Sequence, residues 1–401
     1  MPLPLDGLLV LDLTQMAAGP YATMLLADAG ANVIKIERPG VGDPSRGLPP
    51  FHIAPDGRKT AAGILRMGRG KRALALDISK AAGKAVFLEL AALADVVWEN
   101  FVPGTMERLG LGYERLREVN PRLIYCAISG FGREGSPERD RAALDLVAQA
   151  ESGVMDITGD ADSPPGINGA VMGDLVAALY GVIGTLNAVL LRQQTGEGTL
   201  VDISMADALL ALNERAVLAH LLTGEPIVRG KLGHAGPYAR FHAKDGYVVI
   251  AASIPTLWTR LCQAIGREDL LAQAPAPDTT GVWWRFGQVL HPHLTEWVAA
   301  RSCDEVLTAL RPHQVPAARV ATVAEAAQSE HYRARHMLVE VDHPVAGRYR
   351  MVGSPIKMGG IAEPEGRSSP ELGQHSGEVL TELLGYDAAR LAALRAEGVV
   401  G

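Results

Sequence analysis

The sequence has few aromatic residues, few cysteines and no excess of positive charge. Phenylalanine, tryptophan and tyrosine make up 5% of its 401 residues. Cys126, Cys262 and Cys303 lie far apart, so they form neither a metal-ligand spacing nor a disulfide framework, and we expect a reducing, cytoplasmic compartment. The net charge of −7 argues against nucleic acid or an anionic membrane as a partner. An anionic ligand therefore requires a local basic patch.

Several nucleotide-binding and hydrolytic motifs are also missing. The turn at residues 15–20 has one of the three glycines of a dinucleotide fingerprint, which disfavours an NAD-dependent dehydrogenase. No P-loop, H-E-x-x-H or C-x-x-C motif occurs, so no metal site is predicted. Ser129 precedes both neighbouring glycines and does not form the nucleophile elbow of a hydrolase. The first residues lack the basic and apolar regions of a signal peptide, and we expect none.

Alternation of strands and helices is the main pattern that the sequence does show. The predicted strands are residues 8–13, 32–37, 72–76, 95–98 and 123–128. Helical patterns separate most of them, which predicts an α/β protein with a doubly wound parallel sheet. Residues 38–70 are rich in glycine and proline and are predicted to form a long loop, either functional or disordered.

The second half of the chain is more helical. The uncharged stretch at residues 175–191 is short for a membrane span and is interpreted as a buried core helix. The sequence predicts one helix over residues 205–222, a glycine-rich linker over 230–236 and a hairpin over 238–252. Residues 225–330 are interpreted as a separate, smaller domain.

A set of basic residues is the candidate binding site for an anionic ligand. Its members are Arg38, Arg66, Arg69, Lys71, Arg72 and Arg108. Open α/β sheets bind ligands at the carboxyl ends of their strands, and arginines around that edge suit a ligand with several phosphates. The alternative is a solvated basic surface.

Asp174 is the most informative carboxylate. It ends the segment Gly169-Ala-Val-Met-Gly-Asp174, directly before a long apolar helix. One interpretation is an N-cap that satisfies free backbone amides at the start of this helix. The other is a nucleophile, because a carboxylate held dry at a helix N-terminus stays ionised and oriented. The residues alone leave both interpretations open.

A series of short motifs, in a fixed order, resembles one known family. They include Leu11-Asp-Leu-Thr, Gly30-Ala-Asn-Val-Ile-Lys-Ile-Glu-Arg38, Ala94-Asp-Val-Val-Trp-Glu-Asn-Phe-Val-Pro-Gly104, Ser129-Gly-Phe-Gly132 and Gly196-Glu-Gly-Thr. From Leu8 to beyond Gly385 the chain resembles the class III CoA-transferases of the CaiB/BaiF type. This family includes formyl-CoA transferase, carnitine CoA-transferases and α-methylacyl-CoA racemases.

The resemblance implies a fold and an assembly. Residues 1–224 would form a large Rossmann-like, CoA-binding domain, residues 225–330 a small α/β domain, and residues 331–401 a return to the large domain. Two ring-shaped subunits would interlock as a homodimer. The other implied partners are acyl-CoA and small carboxylic acids.

The resemblance also assigns a site. The family's catalytic aspartate belongs to a Gly-Asp pair at this position, which is Asp174 here. The residues implied to contact CoA are Ala17, Ala18, Arg38, Leu76, Ser79, Asn100, Phe101, Arg108, Ala142, Ala143, Leu144 and Asp145. Among them, Arg38 and Arg108 would meet the phosphates. No metal and no permanently bound cofactor is implied, because CoA is itself a substrate.

The implied activity is transfer of CoA from an acyl-CoA to a carboxylic acid, through an anhydride and then a CoA thioester formed on Asp174. Racemase or epimerase activity is an alternative, but Leu144 replaces the histidine that the racemase branch requires. Binding of CoA without turnover is a further alternative. Ala17 replaces a polar residue, and residues 251–256 lack the glycine-rich loop of the formyl and oxalyl branch, which disfavours formate and oxalate as substrates.

Overall fold

The computed structural model describes residues 2–54, 56–225, 227–230, 237–273, 283–361, 363 and 366–401. The chain divides into two compact units. The larger unit comprises Met1–Gly159, Ser163–Glu225 and Arg333–Gly401, and the smaller comprises Asp160–Asp162 and Pro226–Tyr332. Beyond Gly230, the predicted linker over residues 230–236 lies outside the described residues.

Strands and helices alternate along most of the chain. The strands are β1 (Leu9–Asp12), β2 (Asn32–Glu37), β3 (Phe51–Ile53), β4 (Lys59–Ala61), β5 (Arg72–Ala75), β6 (Val96–Glu99), β7 (Ile124–Ser129), β8 (Leu200–Ser204), β9 (Tyr238–Ala243), β10 (Gly246–Ala251), β11 (Ala317–Arg319), β12 (Leu338–His343) and β13 (Gly347–Val352). The helices are α1 (Ala18–Asp28), α2 (Ala62–Met67), α3 (Ala81–Leu93), α4 (Thr105–Arg108), α5 (Tyr113–Val119), α6 (Asp145–Glu151), α7 (Val154–Ile157), α8 (Met172–Thr195), α9 (Met205–Leu212), α10 (Glu214–Thr223), α11 (Pro255–Ile265), α12 (Trp283–Ala299), α13 (Cys303–Leu310), α14 (Val323–Ala326), α15 (Glu330–Ala334), α16 (Ser376–Leu384) and α17 (Ala388–Ala396).

A six-stranded parallel sheet is the centre of the larger unit. Its strand order is β5-β2-β1-β6-β7-β8, with Val10 of β1 opposite Val33 of β2 and Val96 of β6. Numbered along the chain, the six strands therefore lie in the order 3-2-1-4-5-6, which is the doubly wound arrangement. The predicted α/β class with a parallel sheet is confirmed. The strand order reverses between β1 and β6, and this is where such sheets bind ligands.

The sheet is covered on both faces because its side chains alternate between two apolar layers. Leu9 and Leu11 of β1 point into the layer formed with α3, α16 and α17. Leu8 and Val10 point into the layer formed with α1, α8 and α9. Strands buried on both faces read as continuous apolar runs, which is why the sequence predicted them well.

Helix α8 differs from the buried core helix that the sequence predicted. One face lies on the sheet, where a Cβ on Gly181 would come within 2.5 Å of the Trp98 ring. The other face exposes large apolar side chains: Leu179, Tyr180, Ile183, Leu190 and Leu191. By length and composition, α8 is apolar enough to cross a membrane. Only 28% of its most apolar 18-residue stretch is buried in this chain. It is a partly buried helix with an exposed apolar face.

Two further predictions of local structure are wrong, and one hairpin was missed. Residues 38–70 are not a continuous loop, because they contain the hairpin β3–β4 and helix α2. The helix predicted over residues 205–222 is interrupted at Asn213, whose side-chain amide donates to the carbonyl of Ser152 at 3.1 Å. The hairpin β12–β13 was not predicted at all.

Residues from the end of the chain complete the edge of the large sheet. The amide of Asp77 donates to the carbonyl of Val399 at 2.9 Å, and the amide of Gly401 donates to the carbonyl of Ala75 at 3.1 Å. Leu76 and Val400 form an antiparallel bridge. This pairing covers the carboxyl end of β5 and the residues that follow it, which protects part of an edge strand.

The smaller unit has its own sheet and core. Strands β11, β10 and β9 form a three-stranded antiparallel sheet. The predicted hairpin is present as β9 and β10, and its connection is Lys244 and Asp245 rather than Asp245 and Gly246. Phe241, Trp258 and Leu294 are among the buried residues of the core.

Candidate active site

A cavity of about 180 Å³ lies at the carboxyl ends of the central strands. It is lined by residues that directly follow β1, β2, β5 and β6. Four residues implied to contact CoA line it together: Arg38, Leu76, Ser79 and Phe101. The cavity therefore occupies the position at which a doubly wound sheet binds its ligand.

Asn100 holds the turn after β1 at the point where the strand order reverses. Its side-chain oxygen accepts a hydrogen bond from the amide of Gln15 at 2.7 Å, and its Nδ2 donates to the Gln15 carbonyl at 2.8 Å. This places Asn100 beside the cavity as a support for the turn. Ala17 and Ala18 follow that turn, as the N-cap and first residue of α1.

Arg38 and Arg108 are cations available to an anionic ligand. The Arg38 side chain is 68% exposed, and its nearest carboxylate, that of Asp77, is 3.9 Å away. Arg108 is exposed and donates to the hydroxyl of Thr105 at 2.8 Å. Thr105 lines the same cavity.

Three other members of the predicted basic set have structural partners instead. Arg69 forms a buried ion pair with Asp28 at 2.6 Å, and Lys71 forms one with Asp12 at 2.9 Å. Arg72 pairs with Glu378 and Glu382 of α16. Because carboxylates already engage their charged groups, the prediction that these three residues meet phosphates is wrong.

A buried charge network forms part of the cavity wall, through Lys35 and Asp43, and was missed from the sequence. Lys35 pairs with Asp43 at 3.0 Å and donates to the Thr14 carbonyl at 2.7 Å. Burial acts to raise the pKa of Asp12, but the charges of Lys71 and Lys35 outweigh it and lower this pKa to about 2. A lysine inside an apolar strand was the signal, because a buried charge requires a partner.

Asp174 is the third residue of α8, within its first turn. The N-cap is Val171, which has a left-handed backbone (φ 48°), so the N-cap interpretation of Asp174 is wrong. Within the described residues, no hydrogen bond to the Asp174 carboxylate is formed. Burial, followed by repulsion from Asp145, raises the pKa of Asp174 to about 6, and the charge of Arg66 opposes this shift.

Hydrogen bonds of the Asp145 and Gln149 side chains fix the backbone next to Asp174. Asp145 accepts a hydrogen bond from the Gly173 amide at 2.7 Å and another from the Gln149 side chain at 2.9 Å. Gln149 also bonds the backbone of Asn168, accepting from its amide at 3.0 Å and donating to its carbonyl at 3.1 Å. Gln149 is fully buried and was missed from the sequence. Its position one helical turn after Asp145 was the available signal.

Of the segment from Ala142 to Asp145, Asp145 contacts the start of α8, whereas Ala143 lies against Gly130 after β7. Leu144 precedes α6 and is 75% exposed, whereas Asp145 is the residue that contacts the Asp174 turn. The structure thus brings the predicted residues together in two groups. Arg38, Leu76, Ser79 and Phe101 line the cavity at the sheet edge, and Asp145 lies beside the turn of Asp174.

A second cavity, of about 300 Å³, is lined by Leu175, the residue that follows Asp174. Its walls include Met24 of α1, Arg66 and Met67 of α2, and Leu175 of α8. Arg66 is exposed at the end of α2. Across the described part of the chain, no group of three or more His, Cys, Asp or Glu side chains is placed to hold a metal ion.

The chain is similar to proteins of one family along nearly its whole length. The sequence profile of CoA-transferase family III matches residues 5–376. The chain is 44% identical to a succinyl-CoA:mesaconate CoA-transferase of Haloarcula marismortui, over 94% of this chain and 96% of that protein. It is 35% identical to a succinyl-CoA–D-citramalate CoA-transferase of Chloroflexus aurantiacus, over 100% of this chain and 98% of that protein.

Solved structures agree with the sequence comparisons. The crystal structure of a CAIB/BAIF family protein from Brucella suis superimposes with a TM-score of 0.81 at 32% identity, covering 96% of this chain and 100% of that one. The family that the sequence motifs predicted is confirmed. The chain belongs to CoA-transferase family III and is an enzyme of that class.

Proposed function

We propose that the enzyme transfers CoA from an acyl-CoA to a carboxylic acid through covalent intermediates on Asp174. The observation that carries this proposal is the Asp174 carboxylate itself. It is partly buried, next to the cavity-lining Leu175, and free of hydrogen bonds to the described residues. A nucleophile requires such an unengaged and poorly solvated oxygen.

The reaction proceeds in four steps that conserve the energy of the thioester. Asp174 attacks the thioester carbonyl, which forms an acyl-aspartyl anhydride and releases the CoA thiolate. The thiolate attacks the aspartyl carbonyl, which forms an aspartyl-CoA thioester and releases the first acid. The second carboxylate attacks that thioester, which forms a new anhydride and the thiolate. The thiolate then attacks the new acyl carbonyl, which gives the product and restores Asp174.

No proton has to be transferred in this sequence, because each nucleophile and each leaving group is an anion. The site must instead stabilise oxyanions and exclude water. The first turn of α8 supplies the positive end of the helix dipole near Asp174. Its Gly173 amide is bonded to Asp145 and its Leu175 amide to the Val171 carbonyl, which leaves the amides of Met172 and Asp174 without a partner among the described residues. These groups favour both the ionised carboxylate and the oxyanions that form on it.

CoA would lie along the carboxyl edge of the sheet. Arg38 and Arg108 are proposed to bind its phosphates, and Leu76 and Phe101 its apolar parts. Ala17, Ala18, Ser79, Asn100 and the segment 142–145 complete the proposed contacts. Arginine suits phosphate because its fork donates two parallel hydrogen bonds.

Dicarboxylic acids are the proposed substrate class. The two relatives are named for succinyl-CoA as one substrate and for mesaconate or D-citramalate as the other. All three acids carry two carboxylates separated by a short carbon chain. We propose that at least one acid of this kind is a substrate here.

A second copy of the chain is the proposed protein partner. Helices α9 and α10 also expose large apolar side chains, and α9 packs against α8; we name the exposed apolar residues of these three helices the α8–α10 surface. Its exposed members are Leu179, Tyr180, Ile183, Leu190, Leu191, Leu210, Leu212, Leu218, Leu221 and Leu222. Exposed apolar areas this extensive mark interaction sites, and obligate homodimer interfaces are apolar. Interlocking of the two subunits stays a prediction from the resemblance.

A cytoplasmic location is also proposed. All three cysteines are free and buried, which supports a reducing compartment.

Mass spectrometry of CoA esters tests the proposed activity. The purified enzyme is offered succinyl-CoA with a mixture of carboxylic acids, and new acyl-CoA species are identified. Wild type is expected to form them, and Asp174→Ala is expected to lose at least about 1000-fold in rate, because the nucleophile is removed. Asp304→Asn is the matched control, since Asp304 is an exposed aspartate in the first turn of α13.

Other outcomes would point to the alternative functions. Exchange of the α-proton of an acyl-CoA for deuterium, without transfer, would indicate a racemase or epimerase. Tight CoA binding without turnover, unchanged in Asp174→Ala, would indicate a binding protein. Transfer by Asp174→Ala at the wild-type rate would contradict the proposed role of Asp174.

A further inference from the structure

We infer that Arg66 determines acid specificity by binding the distal carboxylate of a dicarboxylic substrate in the second cavity, the one lined by Leu175. This inference rests on the proposed function and adds the residue that would distinguish dicarboxylic from monocarboxylic acids. One cavity is lined by apolar side chains, by the cation Arg66 and by Leu175, the residue next to the proposed nucleophile.

Two arginines line this cavity, but they differ in their partners. Arg69 donates to both carboxylate oxygens of Asp28, at 2.9 and 2.6 Å, and to the carbonyl of Val352. Arg66 forms no ion pair or hydrogen bond with the residues that the structure describes. Arg66 is therefore the lining cation whose guanidinium is available to a ligand.

Arg66 is also close enough to Asp174 for their charges to interact. Its positive charge acts to lower the pKa of the Asp174 carboxyl. Leu175, the next residue of α8, lines the cavity together with Arg66. A molecule that reacts at Asp174 can therefore extend into this cavity with its other end near the guanidinium.

The lining matches the chemistry of a short dicarboxylic acid. Met24, Met67 and Leu175 offer apolar contacts to the carbon chain between the two carboxylates. The reacting carboxylate would lie at Asp174 and the distal one at Arg66, where a bidentate pair can form. Asp174 and Asp145 are both acidic, so a second negative charge on the substrate requires a compensating cation.

A phosphate of CoA is the competing ligand for Arg66. The cavity at the sheet edge already has Arg38 as an exposed lining cation, with Arg108 at its rim. These two arginines meet the need for phosphate contacts. Arg66 lines the other cavity, together with apolar residues that a phosphate does not need.

A competition between two acids in one reaction tests this assignment. Glutarate and valerate have the same number of carbons and differ in the second carboxylate. Both are offered at equal concentration with one acyl-CoA donor at pH 8, and the ratio of glutaryl-CoA to valeryl-CoA is measured at early times. Both products form on the same Asp174, so the rate at which the donor reacts with Asp174 affects both equally and cancels in this ratio. Any change in the reactivity of Asp174 cancels for the same reason.

Wild type is expected to favour glutarate. Arg66→Gln is expected to lower the product ratio by about 10- to 100-fold, the effect of losing hydrogen bonds to a charged group. Arg66→Lys keeps the positive charge but loses the two parallel hydrogen bonds that a guanidinium donates to a carboxylate, and it is expected to give an intermediate ratio. Arg58→Gln is the matched control, because Arg58 is also exposed and is paired with Asp56; its ratio should equal that of wild type.

Two results would overturn the assignment while leaving the proposed function intact. One is an unchanged product ratio in Arg66→Gln. The other is an equal loss of both products with a raised KM for the donor, which would place CoA at Arg66. Failure of the proposed function is recognised separately, because wild type would then form neither product with any donor.

Discussion

The ionisation of Asp174 links one side chain to the pH dependence of the enzyme. Its pKa is raised to about 6 by burial and by repulsion from Asp145. Only the ionised carboxylate can attack the thioester. We therefore expect kcat/KM for the donor to rise about tenfold per pH unit below pH 6 and to level off above it, because this ratio reports the free enzyme.

A second buried acid requires a control in this experiment. Burial raises the pKa of Glu99 to about 7, against the opposing charge of Arg133. The variant Glu99→Gln separates the two groups, since it should leave a rising limb near pH 6 in place. A rising limb near pH 4 in wild type, the ordinary value for an aspartate, would contradict the prediction.

At the scale of elements, Asp145 joins helix α6 to α8, and the buried amide of Gln149 joins α6 to the segment before α8. This amide bonds Asp145 and the backbone of Asn168, and Asp145 in turn accepts from the Gly173 amide. Gln149→Met keeps the size of the side chain and removes these bonds. We expect kcat to fall about tenfold or more while KM for the donor changes little, because the Asp174 turn is displaced and the sheet-edge cavity is not.

The matched control for Gln149 lies on the same helix end. The hydroxyl of Ser152 donates to the carbonyl of Gln149 at 3.3 Å, so Ser152→Ala also removes a buried hydrogen bond. It should lower the melting temperature and leave kcat unchanged. Equal effects of both variants on stability and on kcat would show that Gln149 has no positioning role.

An element can be predicted from the sequence when its own residues determine it, and it is missed when it depends on contacts with distant residues. Residues 32–37 predicted β2 at its observed bounds, because the β-branched Val33, Ile34 and Ile36 lie in a segment of strand length. Helix α2 was missed since it is short and lies in a stretch rich in glycine and proline. The break at Asn213 was missed because it depends on a hydrogen bond to the distant Ser152.

The site was predictable to a similar degree. Arg38 and Phe101 follow predicted strands, and the carboxyl ends of parallel strands meet at one edge, so their common location follows from topology. The partners of Arg69 and Lys71 could not be found in this way. Their ion pairs with Asp28 and Asp12 join residues more than 40 positions apart, which no local pattern indicates.

At the scale of the whole molecule, the α8–α10 surface should control assembly. Ile183→Glu places a charge at a side chain that is 53% exposed in the single chain. If a second copy covers this surface, the buried charge should weaken association by at least about 3 kcal/mol, and light scattering should detect monomer. Leu93→Glu is the control, because Leu93 is also 53% exposed and lies on α3, outside this surface.

Wild type alone provides an independent measurement of the same prediction. Its sedimentation at micromolar concentration should give the mass of two chains, and dilution should lower its melting temperature. A monomer at these concentrations would contradict the proposed partner whatever the variants do.

The pairing of residues 399–401 with the edge of β5 has a consequence for biosynthesis. The ribosome completes β5 early, then the smaller unit, and only afterwards the residues that cover that edge. At typical elongation rates the interval is on the order of tens of seconds. A nascent chain therefore exposes an unpaired strand edge for this time, while the smaller unit, nearly continuous in sequence, can already fold. Chaperone contact during translation is expected to concentrate on the N-terminal part.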